Sequence, residues 1–475
     1  MDLNFALHLS TPELILGLGA IVILVFGAFR GDKGMTSVSA LSGLCLIAAA
    51  FAAAMTEDGT AYHGSFIIDH VGVFVKVAMY IAALFIIVLG QGYFDRLNNR
   101  RFEFPILILL AVLGMSMMVS AGDLIALYIG LELQSLALYV LAAFRRDDPK
   151  SSEAGLKYFV LGALASGLLL YGASLVYGFA GSMNFHDIAK ATIEHPNTGL
   201  IFGLVFLISG LAFKVSAAPF HMWTPDVYEG APTPVVAFAA GAPKFAAMVL
   251  LARVLNTGFG HQQFQWQQVI LCLAVLSFVV GGVGGLVQKD FKRLLAYSSI
   301  ANMGYALLAI AAGTSGVSSL LLFFVMYMVD TMGLFSSQMA LRRNGQPISQ
   351  IDQLAGLAKV NMPLTIAITM LALSVLGMPP FGGFWSKFFV FGAAIQAGLW
   401  GFAAAGLVAS VIAAFYYLRI LKLMWFDAPP ADVDAAPAEA KWITYLAAAF
   451  AFPGVIVFLW LAYPLAQAAA IGFGG

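Results

Sequence analysis

The 475 residues are 61% hydrophobic and only 10% charged, against roughly 45–50% apolar and 25% charged for an average soluble protein, which excludes a water-soluble globular chain. At about 20 apolar residues per crossing helix, the length holds about fifteen spans with their connections and no large extramembrane domain. Lys plus Arg and Asp plus Glu both number 24, so net charge gives no sign of a nucleic-acid partner, and only the placement of charge informs. The two cysteines, Cys45 and Cys272, lie in apolar segments; a disulfide framework, an iron–sulfur cluster or a zinc site needs more. A cleaved leader is not expected, because MDLNFALHLS has no Lys or Arg to form a positive n-region.

In chain order, predominantly apolar runs of spanning length cover Thr11 to Phe29, Met35 to Met55, Phe66 to Leu89, Phe104 to Val119, Leu124 to Phe144, Gly155 to Phe179 and Leu200 to Trp223. Seven more cover Ala231 to Leu255, Val269 to Val287, Leu294 to Ala312, Val317 to Leu341, Met362 to Ile395, Leu399 to Leu421 and Trp442 to Leu465. The expected fold is an all-α membrane protein of about 14 transmembrane helices, because helices satisfy their own backbone in lipid, and barrel strands would alternate in polarity.

The loops supply an independent test. Seventeen of the 24 basic residues fall in alternate connections: Arg30 and Lys33; Arg96, Arg100 and Arg101; Arg145, Arg146 and Lys150; Lys289, Lys292 and Arg293; Arg342, Arg343 and Lys359; Arg419, Lys422 and Lys441. The other connections hold Lys190 and, at a helix end, Arg253. The positive-inside rule then puts both termini on the periplasmic side of a bacterial inner membrane.

The remaining lysines, Lys76, Lys157, Lys214, Lys244 and Lys387, stand inside expected spans, as do Glu132 and Asp330. Seven central charges would cost on the order of 20 kcal/mol if uncompensated, so they must face the bundle interior, water or one another. Lys76 is near enough to a helix end to snorkel or to pair with Asp69 or His70. Glu132 and Lys157, on consecutive helices, form either a structural ion pair or a switchable one that sets the state of Lys214. Lys214, Lys244 and Lys387 lie deeper with no carboxylate nearby in sequence, and Asp330 is a counter-charge for one of them. Lys292 is explained by orientation alone, and His221 is a polar link. A lysine can load and release a proton as its neighbours change, whereas arginine stays protonated; every mid-span cation is a lysine.

Two stretches interrupt their spans. FKVSAAPFHMWTPDVYEGAPTPV places Pro219 and Pro225 after Lys214, and LGMPPFGGFWSKFFVF places Pro379, Pro380, Gly382 and Gly383 ahead of Lys387. Proline and glycine there would break the hydrogen-bond ladder. Pro219-Phe220 and Pro380-Phe381 stand 161 residues apart, a distance holding five spans, so the two breaks have opposite orientations. Paired breaks in inverted halves point to an ion or substrate pathway at mid-membrane, although a kink made for packing is the alternative at either one.

These motifs, with KDFKRLLAYSSIANMGY and LELQSLALYVL, resemble the antiporter-like, proton-translocating subunits in the membrane arm of NADH:quinone oxidoreductase (complex I), and most of all its bacterial N-subunit branch. The resemblance covers essentially the whole chain. It implies two inverted five-helix repeats, helices 4–8 and 9–13, with helices 7 and 12 broken. The corresponding segments are 1–103, an N-terminal three-helix part; 104–256 and 257–425, the repeats; and 426–475, a C-terminal loop and last helix. By the same resemblance Glu132, Lys157, Lys214, Lys244 and Lys387 match the proton relay; no family role reaches Asp330 or Lys76. Lys244 lies between the two breaks in sequence and is the candidate bridge between the repeats.

The implied function is proton translocation without redox chemistry on this chain. GGVGG at Gly281 to Gly285 lies in a membrane helix rather than a strand-to-helix turn, and the seven histidines form no haem-ligand pattern. No metal or cofactor is expected here; NADH, FMN, iron–sulfur clusters and quinone belong to partner subunits, as the resemblance implies. The partners would be the other membrane-arm subunits, sibling antiporter-like chains included, and membrane lipid, with no nucleic acid. Two alternatives are an Mrp-type cation/proton antiporter subunit and a structural membrane scaffold with inert charge pairs.

Overall fold

A computed structural model of the chain describes residues 3–194, 196–343, 345–428, 433–471 and 473. It is an all-α membrane protein. Among the described residues ten helical segments are long and apolar enough to cross a membrane, and three shorter apolar helices accompany them.

The first compact unit comprises Met1–Val215, Ala242–Ile270 and Ala466–Gly475. It contains α1 (Thr11–Arg30), α2 (Met35–Met55), α3 (His70–Arg96), α4 (Glu103–Val119), α5 (Leu124–Ala142), α6 (Pro149–Ala180) and α7 (Thr198–Lys214). The second comprises Ser216–Gly241 and Leu271–Leu465. Its chain begins with α8 (Thr224–Gly230) and α9 (Thr233–Ala240), and returns to the first unit as α10 (Ala242–Arg253). α11 (Gln263–Leu286) leads back into the second unit, where α12 (Phe291–Ala311), α13 (Val317–Ala340), α14 (Met362–Leu376), α15 (Gly382–Gln396), α16 (Trp400–Phe426) and α17 (Ala438–Ala449) follow. The last helix is α18 (Val455–Ile471).

Helix starts are written into the sequence. The side chains of Asp69, Asp123, Asp148, Asn197, Asp290 and Asn361 each accept a hydrogen bond from a first-turn amide, satisfying donors that have no partner inside the helix. Small residues decide which helices touch. A Cβ added at Gly114 of α4 would come within 2.4 Å of the Gln134 backbone nitrogen on α5. One added at Gly172 of α6 would come within 2.7 Å of the Gly203 carbonyl oxygen on α7. In lipid, where burial of apolar surface drives no association between helices, such close approach supplies the packing energy.

The structure corrects several expected boundaries. Residues 66–68 form a strand paired antiparallel with Gly59–Ala61, and α3 begins only at His70, after the Asp69 cap. The seventh expected span ends as a helix at Lys214, well before Pro219. The eighth is interrupted at Gly241, whose φ of −108° and ψ of −85° are non-helical. The last is kinked at Phe450–Gly454, where Phe452 leaves helical geometry ahead of Pro453. Residues 429–432 of the expected C-terminal loop, and 1, 2, 474 and 475 at the termini, lie outside the described residues.

Candidate functional site

In the first unit the polar residues of α5 share one face. Glu132, Ser135 and Tyr139 stand at the i, i+3, i+7 spacing of a helix stripe,. α7 ends at Lys214, where unsatisfied carbonyls and the negative end of the helix dipole favour a cation. The Lys214 ammonium donates to Ser135 Oγ at 2.7 Å and to the Tyr139 hydroxyl at 3.1 Å, and lies 4.0 Å from Glu132 Oε1. The same carboxylate oxygen accepts the Ser166 hydroxyl of α6. Tyr139 packs edge-on against Tyr158, with ring centroids 4.8 Å apart. Lys214 is 5% exposed. Hydroxyls both donate and accept, so carboxylate, hydroxyls and ammonium form one contiguous cluster of groups able to give and take protons.

In the second unit α14 ends at Leu376, and Gly377 follows in the left-handed region at φ 92°. After the Pro379-Pro380 turn, α15 carries Lys387 back toward that open end: its ammonium donates to the carbonyls of Val375 at 3.1 Å and Leu376 at 2.9 Å, and to Ser410 Oγ of α16 at 2.9 Å. It also lies 4.9 Å from the ring centroid of Tyr305 on α12. Asp330 of α13 accepts the Ser374 hydroxyl at 2.7 Å, and Ser374 in turn accepts the Gly383 amide at 2.9 Å. One serine thus ties the buried acid to the first turn of the half-helix that bears the lysine. Both breaks end with a lysine at the open C-terminus of a half-helix, reached from opposite directions along the chain.

Lys244 is fully buried in α10, three residues past the Gly241 interruption. Lys292, at the start of α12, donates to the Ala231 carbonyl at 2.9 Å, beside Arg293, which binds Asp226 at 2.7 Å and Glu229 at 3.1 Å. His221 lies half-buried between α7 and α8 in sequence. Lys157 sits on α6 with Glu153 of the same helix at 2.8 Å. That partner was not expected; neither was the direct approach of Glu132 to Lys214. Lys76 takes a partner that was not expected: it is fully buried with Glu13 of α1 at 2.6 Å, and it also interacts electrostatically with Asp69.

Sequence reasoning missed Ser135, Tyr139 and Ser166 in the first unit, and Ser374, Ser410 and Tyr305 in the second. Ser135 and Tyr139 were within reach, since the helical stripe through Glu132 contains them. Ser166, Ser374 and Ser410 stand on other helices and carry no mark in sequence, and Tyr305 ends the quoted KDFKRLLAYSSIANMGY without being singled out there. Among the described residues no group of three or more His, Cys, Asp or Glu side chains gathers as a metal site would.

The chain is similar to known proteins over nearly all of its length. Residues 121–413 match the family described as NADH:quinone oxidoreductase/Mrp antiporter, TM. The chain is 59% identical over 385 residues to NADH-quinone oxidoreductase subunit N of Caulobacter sp. (strain K31), covering 79% of this chain and 80% of that one. A chain of respiratory complex I from Thermus thermophilus matches with TM-score 0.81 and 33% identity, over 95% of this chain and 98% of that one. A chain of the Mrp complex from Dietzia sp. DQ12-45-1b shares the fold, with TM-score 0.81 at 20% identity over 100% of this chain and 98% of that one.

Proposed function

This chain belongs to the antiporter-like family of NADH:quinone oxidoreductase and Mrp membrane subunits, within its subunit N branch, and on that premise we propose that it carries protons across a bacterial inner membrane as part of the complex I membrane arm. The observation that carries the reading is Lys214, a buried ammonium at the end of a broken helix, hydrogen-bonded to Ser135 and Tyr139 and 4.0 Å from Glu132. A lysine so placed takes and releases a proton as the charge beside it changes. Its partners on this chain, a carboxylate and two hydroxyls, accept and donate protons. NADH, FMN, iron–sulfur clusters and quinone are assigned to partner subunits, and energy reaches this chain as a shift of charge or position.

The two half-helix breaks are read as the centres of two inverted five-helix repeats, residues 104–256 and 257–425, with 1–103 and 426–475 as flanking parts. Each repeat then owns a proton carrier, Lys214 in the first and Lys387 in the second, and Lys244 is the bridging lysine. Lys157, which has Glu153 as a partner at 2.8 Å, is read as the switchable partner of Glu132. His221 and Lys292 are secondary links, and Asp330 is the counter-charge of Lys387. Short steps are required: at 50 Å and an effective dielectric of about 20 two charges interact by only about 0.3 kcal/mol, below thermal energy. Loop charge supports an orientation with both termini on the periplasmic side.

An Mrp-type antiporter would use the same fold, but 59% identity to a subunit N against 20% to the Mrp chain favours the complex I reading. The test is Lys214→Arg in the assembled complex, measured as protons moved per NADH oxidised in sealed inverted vesicles. Arginine keeps the charge and stays protonated, so the complex should assemble, and its proton yield should fall. An unchanged yield would overturn the assignment.

A further inference from the structure

The first unit contains a second buried chain of proton-exchanging groups, away from Lys214. Lys76 of α3 is fully buried, and its ammonium lies 2.6 Å from Glu13 Oε1 of α1. The same oxygen accepts the Ser116 hydroxyl of α4, and Ser116 Oγ lies 2.6 Å from the Tyr80 hydroxyl of α3. Glu13 Oε2 is buried and, among the described residues, bonds to no protein donor. A buried ion pair is weak evidence for a stabilising role, and one kept only for packing would be expected to have its carboxylate oxygens satisfied. Oε2 is thus the carboxylate oxygen not already engaged by Lys76 or Ser116, and the one free to take a proton.

The surroundings connect this chain to the relay. Asp69, the N-cap of α3, interacts electrostatically with Lys76 and binds Arg253 of α10 at 2.8 Å. Arg253 is 3% exposed and terminates the helix that also carries Lys244, about 13 Å away at 1.5 Å of rise per residue. Cys45 of α2 interacts electrostatically with Tyr80, and its thiol donates to the Ile15 carbonyl at 3.3 Å. Glu13, Asp69 and Arg253 all stand at helix ends that face connections poor in Lys and Arg.

We propose that Glu13 and Lys76 form a proton-loading site at the lysine- and arginine-poor end of the first unit, with Ser116 and Tyr80 relaying the proton and the Asp69–Arg253 pair linking its charge to α10. In the loaded state Lys76 is an ammonium beside ionised Glu13; on unloading Lys76 gives a proton to Glu13, Glu13 gives one to Ser116 as Ser116 passes its own hydroxyl proton to Tyr80, and Tyr80 passes one to a water molecule, leaving a neutral amine and an ionised carboxylate. This rests on the reading that the chain carries protons.

The test uses the assembled complex in sealed inverted vesicles, with Lys214→Arg measured alongside. The double variant Glu13→Gln with Lys76→Met removes both charges together, so no uncompensated ion is left buried. A purely structural pair predicts that this variant pumps normally. The loading site predicts that proton yield per NADH falls as far as it does in Lys214→Arg, while uncoupled NADH oxidation is unchanged. Lys76→Arg, which keeps the pair but cannot give up its proton, should show the same loss. A normal yield in either variant overturns the site, as does failure of both to assemble, which would make the pair structural. Should Lys214→Arg itself pump normally, the carrier reading fails instead, whatever the Glu13 and Lys76 variants do.

Discussion

Replacing Glu132 with Gln tests the coupling at the centre of the first unit. Glutamine is close in size and can still accept the Ser166 hydroxyl, so the change removes little besides the charge. At the observed 4.0 Å and an effective dielectric of about 20, the attraction between carboxylate and ammonium is about 4 kcal/mol. At 1.36 kcal/mol per tenfold, that is roughly a thousandfold bias between charged and neutral Lys214, and even a third of it is about tenfold. The hydrogen bonds to Ser135 and Tyr139 are untouched and hold the side chain in place. The assay is dye-quench proton uptake by sealed inverted vesicles driven by NADH, with uncoupled NADH oxidation measured in parallel. Proton uptake per NADH should drop, and Glu132→Asp, which keeps the charge, should recover part of it. A Glu132→Gln complex with full uptake would refute the claim that this carboxylate controls Lys214.

Ser374→Ala should leave the Asp330 carboxylate and the Gly383 amide without their shared hydroxyl. The expected cost is about 1–3 kcal/mol, read as a lower denaturation temperature of the detergent-solubilised complex, with weakened pumping from misplacement of Lys387. Gly172→Val places side-chain atoms where the Gly203 carbonyl already lies; it should part α6 from α7 and deplete assembled complex in membranes, whereas Gly181→Asn at a helix end should not. Asp69 lies outside the helical span: burial pushes its carboxyl up, but Arg253, the Gly72 amide and Lys76 outweigh this and hold it below the ordinary carboxylate value. A lowered value contributes stability above the ordinary titration range that is lost as pH falls through the folded value. Asp69→Asn should therefore reduce heat stability near neutrality, and the gap to the parent should close below about pH 4.

Much of this protein can be read from its residues in order. Lipid forces each spanning segment to satisfy its own backbone, so helices follow from composition, and alternate basic loops orient them. Proline and glycine beside Lys214 and Lys387 mark the breaks because those residues disrupt the ladder wherever the chain goes. The cost of a charge in hydrocarbon singles out Glu132, Lys244 and Asp330 in the same local way. What the residues in order could not supply is which group meets which. Nothing in the order of residues marks Glu13 as the partner of Lys76, which it meets only in the folded chain. Ser374 is one serine among many until it joins Asp330 to the Gly383 amide, and Glu132 meets Lys214 from another helix, whereas the i,i+4 pairing of Lys157 with Glu153 was legible from spacing,. Local rules act over one or two helical turns, whereas a proton path is made of contacts of about 3 Å between helices far apart in sequence. Those contacts are set by where small residues such as Gly114 and Gly172 let backbones approach, and that is decided only when the helices pack.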